Sequence, residues 1–224
     1  MASYIDINGR DRKMAIQTMS IHRALAELKT YDDRISRAMR ADFIIANKRS
    51  NDKIKGKSIS EVVQQIKGSF ASYFALTENQ RRIKAAVVLS NANTKVMISG
   101  IEYTVAEAIE RKAKLHHDET FLKVLKNQFL TQNEKVEDEN EKLLQKLESY
   151  LQSILGDKEK RTVDEIAAHT KAFEDRNKFE LIDPSDIAKQ IEQLDQTIMS
   201  FKTVVDYVLS ESNATTFIEV DFVD

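Results

Sequence analysis

The sequence predicts a mostly α-helical protein: a long antiparallel helical hairpin, or coiled-coil bundle, with a small three-stranded antiparallel β-sheet at one end. Of the 224 residues, 31% are charged and 42% hydrophobic, with one Pro and five Gly, which is typical of long helices with few turns. Apolar residues also recur every three or four positions. Finally, VVLSNANTKVMIS (87–99) and YVLSESNATTFIEV (207–220) both pass from an apolar helical stretch through Ser, Asn and Thr into an alternating, strand-like run.

The first two helices follow from periodicity and capping residues. Apolar or small residues recur in steps of three and four between Ile21 and Ala38, which predicts helix one. The polar segment NKRSNDKIKGKS (47–58) is typical of a loop, and Ser58 with Glu61 forms a capping-box pattern that predicts the start of helix two. Thr77 with Gln80 allows a further capping box, so a break near residue 76 is one alternative within a helix that otherwise reaches residue 89.

A β-hairpin is predicted after helix two. Val96 and Ile98 alternate with polar neighbours, Ser99 and Gly100 supply a two-residue turn, and the sequence alternates again over 101–104. Because an isolated two-stranded hairpin is only marginally stable in water, we expect a third strand. The alternating run at 216–222 is the predicted third strand.

The rest of the chain is predicted to form a long helical hairpin. Thr104 with Glu107 opens helix three, which ends at Gly156, and Thr162 with Glu165 opens a short helix. Asp183 as N-cap and Pro184 as the first helical residue open the last helix. Its apolar stripe is narrow, as in a coiled-coil seam, and consists of Ile187, Ile191, Leu194, Ile198, Phe201, Val205 and Val208.

At this length one elongated domain is expected. The fold-back of the helical hairpin is predicted to bring both Asn/Thr segments to one end, with their strands in one sheet. The predicted parts of the domain 1–224 are N-terminal helices at 18–92, the β-hairpin at 94–104, the helical hairpin at 105–210 with an insertion at 157–183, and the C-terminal strand at 215–222.

Composition excludes several classes of function. The 34 Lys and Arg residues nearly balance the 36 Asp and Glu residues, so the positive charge of a general nucleic-acid binder is missing and no DNA or RNA partner is expected. The chain has no Cys, and no apolar run approaches the roughly 20 residues of a membrane span. We therefore expect a soluble, cytoplasmic protein without a membrane partner.

No catalytic or metal-binding pattern is visible. The phosphate-loop, dinucleotide, nucleophile-elbow and zinc-protease motifs are all missing from the sequence. The run from His116 to Glu119 is the one cluster of metal-ligating residue types, and neighbouring residues of a helix point about 100° apart rather than at one ion. The prediction is a protein that is not an enzyme and has no cofactor and no metal.

The two Asn/Thr segments are the predicted ligand-binding site. Their amides and hydroxyls, with nearby cations on helix three, suit an anionic ligand at helix ends and turns. The alternative is that these side chains only cap helices and turns, as Ser, Thr and Asn commonly do. The predicted ligand-binding residues are Asn91, Asn93, Thr94, Arg111, Lys112, Asn213 and Thr215, with Thr216 beside them.

A second group combines aromatic and basic residues on helix two. Phe70, Tyr73 and Phe74 at helical spacing are more typical of a packed core than of a base-stacking surface. Beside the cations of Arg81, Arg82 and Lys84, they would also suit a purine nucleotide.

Four patterns together resemble a known family. They are Arg34-Ile35 near the end of helix one, Asn91 to Thr94 before a hairpin, Gly100 followed by T-x-x-E-A-I-x-R-K up to Lys112, and Asn213 at the close of the last helix. This order resembles the septicolysin-like family of small helical proteins of bacteria and phages. The resemblance implies a homo-oligomer of hexameric type. Phage members of a similar type are sponges that bind cyclic nucleotide or ADP-ribose immune signals without cleaving them.

The resulting hypothesis is a phage-encoded counter-defence sponge that sequesters a nucleotide-derived signal in the host cytoplasm. The main alternative is a structural or interaction protein of coiled-coil type without a small-molecule ligand. The third hypothesis, an enzyme acting on nucleotides, ranks below the other two because the sequence shows no set of catalytic residues.

Overall fold

The computed structural model describes residues 3–5, 11–158 and 161–223, with side chains from residue 15 onward. Within these ranges the chain forms five α-helices and seven short β-strands, which confirms the mostly helical prediction. The chain divides into two compact units. The first unit combines the chain up to Ala113 with the chain from Phe201 onward, and the second is Lys114–Ser200. The prediction of one elongated domain stays a prediction.

The first unit contains all seven strands. The elements in chain order are β1 (Ser3–Ile5), β2 (Asp11–Ser20), α1 (Ile21–Ala38), β3 (Lys53–Ile54), β4 (Lys57–Ser58), α2 (Ile59–Asn93), β5 (Lys95–Ile98), β6 (Ile101–Thr104), α3 (Val105–Leu155), α4 (Val163–Asn177), α5 (Ile187–Thr215) and β7 (Phe217–Val223). Helices α3 and α5 each contribute residues to both units.

Helix starts follow the predicted caps. The Ser58 hydroxyl accepts a hydrogen bond from the Glu61 N–H at 3.3 Å, and the Glu61 carboxylate accepts one from the Ser58 N–H at 2.7 Å. The same reciprocal pairs form between Thr104 and Glu107 and between Thr162 and Glu165, residues that precede α3 and α4. These boxes satisfy backbone N–H groups that a helix leaves free. The boxes predicted at these three helix starts are therefore confirmed.

Helix α2 continues without a break past residue 76. The Thr77 hydroxyl donates to the carbonyl oxygen of Tyr73 at 3.1 Å, a bond within the same helix. It therefore does not cap a new helix, and the alternative with a break near residue 76 is wrong.

The predicted three-stranded sheet is not formed. Val96 of β5 pairs with Tyr103 of β6, and this sheet has two strands. Ile218 of β7 pairs instead with Met19 of β2 in an antiparallel ladder that joins residues 14–20 to 217–223. Strand β7 thus finds its partner beside helix α1, and the hairpin stands alone, closed by Ser99 and Gly100 with φ of 52° and 83°.

The core of the first unit lies under the β2–β7 ladder. Alternate residues of β7 point to one face, and helices α1 and α2 cover that face. Apolar side chains recur on one face of β7 every two residues and on one face of each helix every three to four residues. These apolar faces therefore pack against each other. The buried residues of this core are Met19, Ile21, Ala24, Tyr31, Ile83, Val87, Ile218, Val220 and Phe222.

Two side chains of α2 complete the outer edge of β7. The Asn79 amide donates to the carbonyl oxygen of Val223 at 2.9 Å and accepts from its N–H at 2.7 Å. One turn later, Arg82 donates to the carbonyl oxygen of Asp221 at 3.3 Å. Since an edge strand leaves alternate backbone groups free, these contacts replace the next strand at the end of the sheet.

The second unit is held by contacts between its helices and their connections. Lys126 of α3 pairs with Asp195 of α5 at 2.6 Å, and the Asn140 amide exchanges two hydrogen bonds with the backbone of Phe179. Of the predicted seam residues in this unit, Ile198 is buried, whereas Ile187 is only half-buried. A coiled-coil bundle is not confirmed.

The start of α5 differs from the prediction. The helix begins at Ile187, and Pro184 lies in the preceding turn rather than at the first helical position. Asp186 has a φ of 51°, a left-handed conformation that ends the turn. The Asp183 carboxylate still caps the helix, because it accepts the Ile187 N–H at 2.7 Å.

We predict that Asn79→Ala destabilises the first unit by about 2 kcal/mol. Asn79 is 8% exposed, so its loss leaves the N–H and carbonyl of Val223 without their described partners. Urea unfolding followed by circular dichroism measures the change. The control is Asn93→Ala, which removes an exposed amide that bonds only to its own helix. Equal stability of the two variants would contradict the role assigned to Asn79.

We predict that Glu78 stabilises the fold only above acidic pH. Hydrogen bonds from Arg81 and Arg82 lower the pKa of Glu78 from 4.5 to about 2. Because the folded-state pKa is depressed, the stabilisation is complete above pH 4.5 and disappears as the pH falls to about 2.

The measurement compares wild type with Glu78→Gln by urea unfolding at several pH values. We expect a loss of about 1–2 kcal/mol at pH 7 that shrinks below pH 4.5, allowing for screening at the exposed Arg81. Glu137→Gln, at an exposed acid of α3, is the control. A difference that is independent of pH would show that the Glu78 charge is not the cause.

Candidate functional site

The Asn and Thr side chains at the end of α2 finish that helix. The Asn93 amide donates to the carbonyl oxygen of Leu89 at 2.8 Å, and the Thr94 N–H donates to that of Ser90 at 2.8 Å. The hydroxyls of Thr94 and Ser90 are 3.5 Å apart. Asn91 is half-buried. At this end of the predicted site, the described contacts of Asn93 and Thr94 are local capping contacts.

The end of α5 is built in the same way. The Thr215 hydroxyl donates to the carbonyl oxygen of Glu211 at 2.9 Å, and the carbonyl oxygen of Thr216 accepts the Ile21 N–H at 2.9 Å. Asn213 is half-buried. The two segments are thus similar because each connects the end of a helix to the start of a strand.

Among the predicted site residues, Arg111 packs on an aromatic ring and has a buried donor without a described acceptor. Its guanidinium carbon lies 4.9 Å from the ring centroid of Phe201, which also contacts the Tyr103 ring at 5.8 Å. Its Nε atom is buried and has no hydrogen-bond partner among the described residues. Its neighbour Lys112 forms an ion pair with Asp206. Arg111 therefore carries a charge and a buried donor that no described acceptor meets.

The structure separates Arg111 from the end of α5. Arg111 contacts α5 at Phe201, and Asn213 lies twelve positions further along that helix, about 18 Å away. Lys112 contacts α5 at Asp206, about 10 Å along the helix from Asn213. Arg111 and Lys112 thus lie along the helix body, whereas Asn213 and Thr215 lie at its end.

The aromatic residues of α2 form a cluster with a fourth ring. Phe70 and Phe74 have ring centroids 4.7 Å apart, and Tyr73 and Phe74 are 5.4 Å apart. Phe43, from the segment after α1, contacts Phe70 at 6.4 Å and Tyr73 at 6.5 Å. The sequence signal for Phe43 is the apolar run Phe43-Ile44-Ile45 between polar segments, which lies outside the predicted helices.

Arg81 and Arg82 serve the fold. Both pair with Glu78, at 2.7 Å and 2.8 Å, and Arg82 also bonds to strand β7. These contacts therefore explain the presence of the two cations on α2 without a nucleotide ligand. Asn79 was missed, although a polar residue in the apolar stripe formed with Leu76 and Ile83 is the signal for a buried amide.

A cavity of about 280 Å³ lies between α1, α2 and the end of β7. Arg34 stacks over the Tyr31 ring at 4.9 Å, and burial raises the pKa of the Tyr31 phenol. The Asn79 amide at the cavity is bonded to Val223. The cavity is lined by Arg34, Ala71, Ser72, Ala75, Leu76, Asn79 and Val223. Two of its polar side chains, Arg34 and Asn79, have protein contacts of their own.

The described residues contain no group of three or more His, Asp or Glu side chains placed to hold a metal ion. His116 and His117 are exposed, with ring centroids 6.1 Å apart. None of the helices within the described ranges combines the length and apolarity that a membrane span needs.

The resemblance to the septicolysin-like family stays a prediction, since it rests on four short patterns. Arg111, the residue whose described contacts leave a donor unmet, lies within one of these patterns. No protein-family model, curated protein or solved structure matches the chain.

Proposed function

We propose that the protein binds a nucleotide-derived anion at Arg111 and holds it without cleavage, as a phage-encoded counter-defence sponge in the host cytoplasm. One observation carries the proposal: the buried Nε of Arg111 has no hydrogen-bond partner among the described residues. A buried N–H without an acceptor costs free energy, which an anionic oxygen of a ligand would recover.

The surroundings of Arg111 suit a phosphate group. A guanidinium presents several donors in one plane and binds phosphate through two of them at once. The Phe201 ring holds this plane on one side, which limits its rotamers before a ligand arrives. The neighbouring Lys112 is already neutralised by Asp206, so Arg111 is the cation available for an anion at this point of α3.

Retention without cleavage agrees with the contacts of Arg111. Its described contact is the Phe201 ring, and the carboxylate of Asp206 is engaged by Lys112. This arrangement suits the binding of an anion, and none of these described contacts is an activated nucleophile. The identity of the signal as a cyclic nucleotide or a cyclic ADP-ribose comes from the family resemblance.

Self-association is part of the proposal: the protein forms a homo-oligomer, and the family resemblance points to a hexamer. Four large apolar side chains are exposed around the end of α2 and the β5–β6 hairpin: Val88, Leu89, Met97 and Ile101. Exposed apolar residues grouped in one region are typical of protein interfaces. The same observation favours the second candidate function, a structural or interaction protein without a small-molecule ligand.

We predict that Arg111→Gln weakens ligand binding about 10- to 100-fold, because a charge-assisted hydrogen bond is lost. Calorimetric titration with a panel of cyclic nucleotides and cyclic ADP-ribose isomers measures the affinity. Chromatography of the ligand released by denaturation tests whether it is unchanged. The control is Arg176→Gln, the same substitution at an exposed residue in the last turn of α4, which should leave binding unchanged. Absence of heat from every ligand with wild type would overturn the proposal.

We predict that Leu89→Glu with Met97→Glu lowers the mass in solution to that of one chain, since charges at an apolar interface oppose association. Light scattering after size-exclusion chromatography measures the mass. Val163→Glu with Ile182→Glu, at two apolar residues that are exposed in the second unit, is the control. A wild-type mass equal to one chain would remove the oligomer from the proposal.

A further inference from the structure

Positive charge is concentrated in one part of the chain. The formal charge of all 224 residues is −2, yet residues 34–57 carry only two acids, Asp42 and Asp52. The cations of this segment are Arg34, Arg37, Arg40, Lys48, Arg49, Lys53, Lys55 and Lys57. The segment therefore has a formal charge of +6, although the acids and bases of the whole chain nearly cancel.

Most of these cations are not neutralised. Lys55 lies 3.6 Å from the Asp42 carboxylate, and both side chains are exposed. Lys57 donates to the Gln65 amide oxygen at 2.8 Å. The other six make no ion pair with any residue that the structure describes, and all eight are exposed. Their charges therefore act on the surrounding solution.

The same segment carries part of the aromatic cluster. Phe43 lies within it and packs against Phe70 and Tyr73 of α2. The contact of Asp42 with Lys55 places the β3–β4 turn beside Phe43. Phe43, Phe70 and Phe74 are 37%, 42% and 37% exposed, so part of each ring can be reached from solvent. We call these three rings, Tyr73 and the eight cations the basic–aromatic surface.

We propose that the basic–aromatic surface binds single-stranded nucleic acid. Cations spread over the end of α1, the 41–52 segment and the β3–β4 hairpin match the repeated phosphates of an extended polyanion. Rings held in place by their neighbours offer surfaces on which unpaired bases stack, whatever their sequence. The combination of both features distinguishes this surface from a site for a simple anion.

This inference goes beyond the proposed function and rests on different residues. Arg111 and Phe201 take no part in the basic–aromatic surface. Either site therefore can fail its test while the other passes.

The test is fluorescence anisotropy of labelled 20-nucleotide single strands, one of DNA and one of RNA, titrated with the full chain. We expect both strands to bind, and the logarithm of the affinity to fall linearly with the logarithm of the salt concentration. Lys48→Glu with Arg49→Glu should weaken binding at least ten-fold and reduce the salt slope by about 1.4, because each phosphate contact contributes about 0.7 for single strands.

A second variant separates stacking from charge. Phe70→Leu with Phe74→Leu keeps both side chains apolar and removes two rings, so we expect at least a five-fold loss of affinity with an unchanged salt slope. Circular dichroism confirms that each variant is folded. If the leucine variant unfolds, the exposed Lys48 and Arg49 variant still decides the question.

The charge-matched control is Lys135→Glu with Lys146→Glu, at two exposed residues of α3. It has the same net charge as the Lys48 and Arg49 variant and should bind like wild type. Equal loss in both charge variants, or no binding by wild type, would overturn the proposal. Tighter binding to phosphatidylserine vesicles or to a poly-glutamate peptide than to either strand would also overturn it, in favour of a membrane or an acidic protein.

Discussion

The ladder between β2 and β7 is the constraint on which the first unit depends. It pairs residues 14–20 with 217–223 and so ties the beginning of the described chain to its end. The ladder presents Met19, Ile218 and neighbouring apolar residues as one face, and α1 and α2 bury that face. Asn79 then satisfies the backbone of Val223, where no further strand follows. Without this pairing, α2 would lack the surface against which Ile83 and Val87 are buried.

The basic–aromatic surface is connected with this core through α2, whereas Arg111 is placed by contacts outside the core. Helix α2 buries Ile83 against the ladder and exposes Phe70 and Phe74 in an earlier part of its length. A helix fixed in the core holds side chains outside it in defined positions, which lowers the entropy lost when a ligand binds. Arg111 owes its position to the hairpin and to Phe201, since Tyr103 and the guanidinium both contact that ring.

Sequence reasoning succeeded where the determinants are local. The capping boxes at Ser58, Thr104 and Thr162 depend on residues three apart, and Ser99-Gly100 sets its turn without distant contacts. The partner of β7 could not be predicted in this way, because DRKMAIQTMS is poor in β-branched and aromatic residues and its pairing lies some 200 residues away. Arg111 was identified from its charge, whereas its unmet donor and the ring beneath it depend on tertiary packing.

The ladder between β2 and β7 also has a consequence for synthesis on the ribosome. Residues 114–200 form their own unit from one continuous stretch of chain. Strand β7 follows that unit in the sequence, so until it is translated β2 and the apolar side of α1 lack the strand that covers them. The first unit can therefore close only after the whole of the second unit has been made, and an early apolar segment stays open to non-specific association for that time.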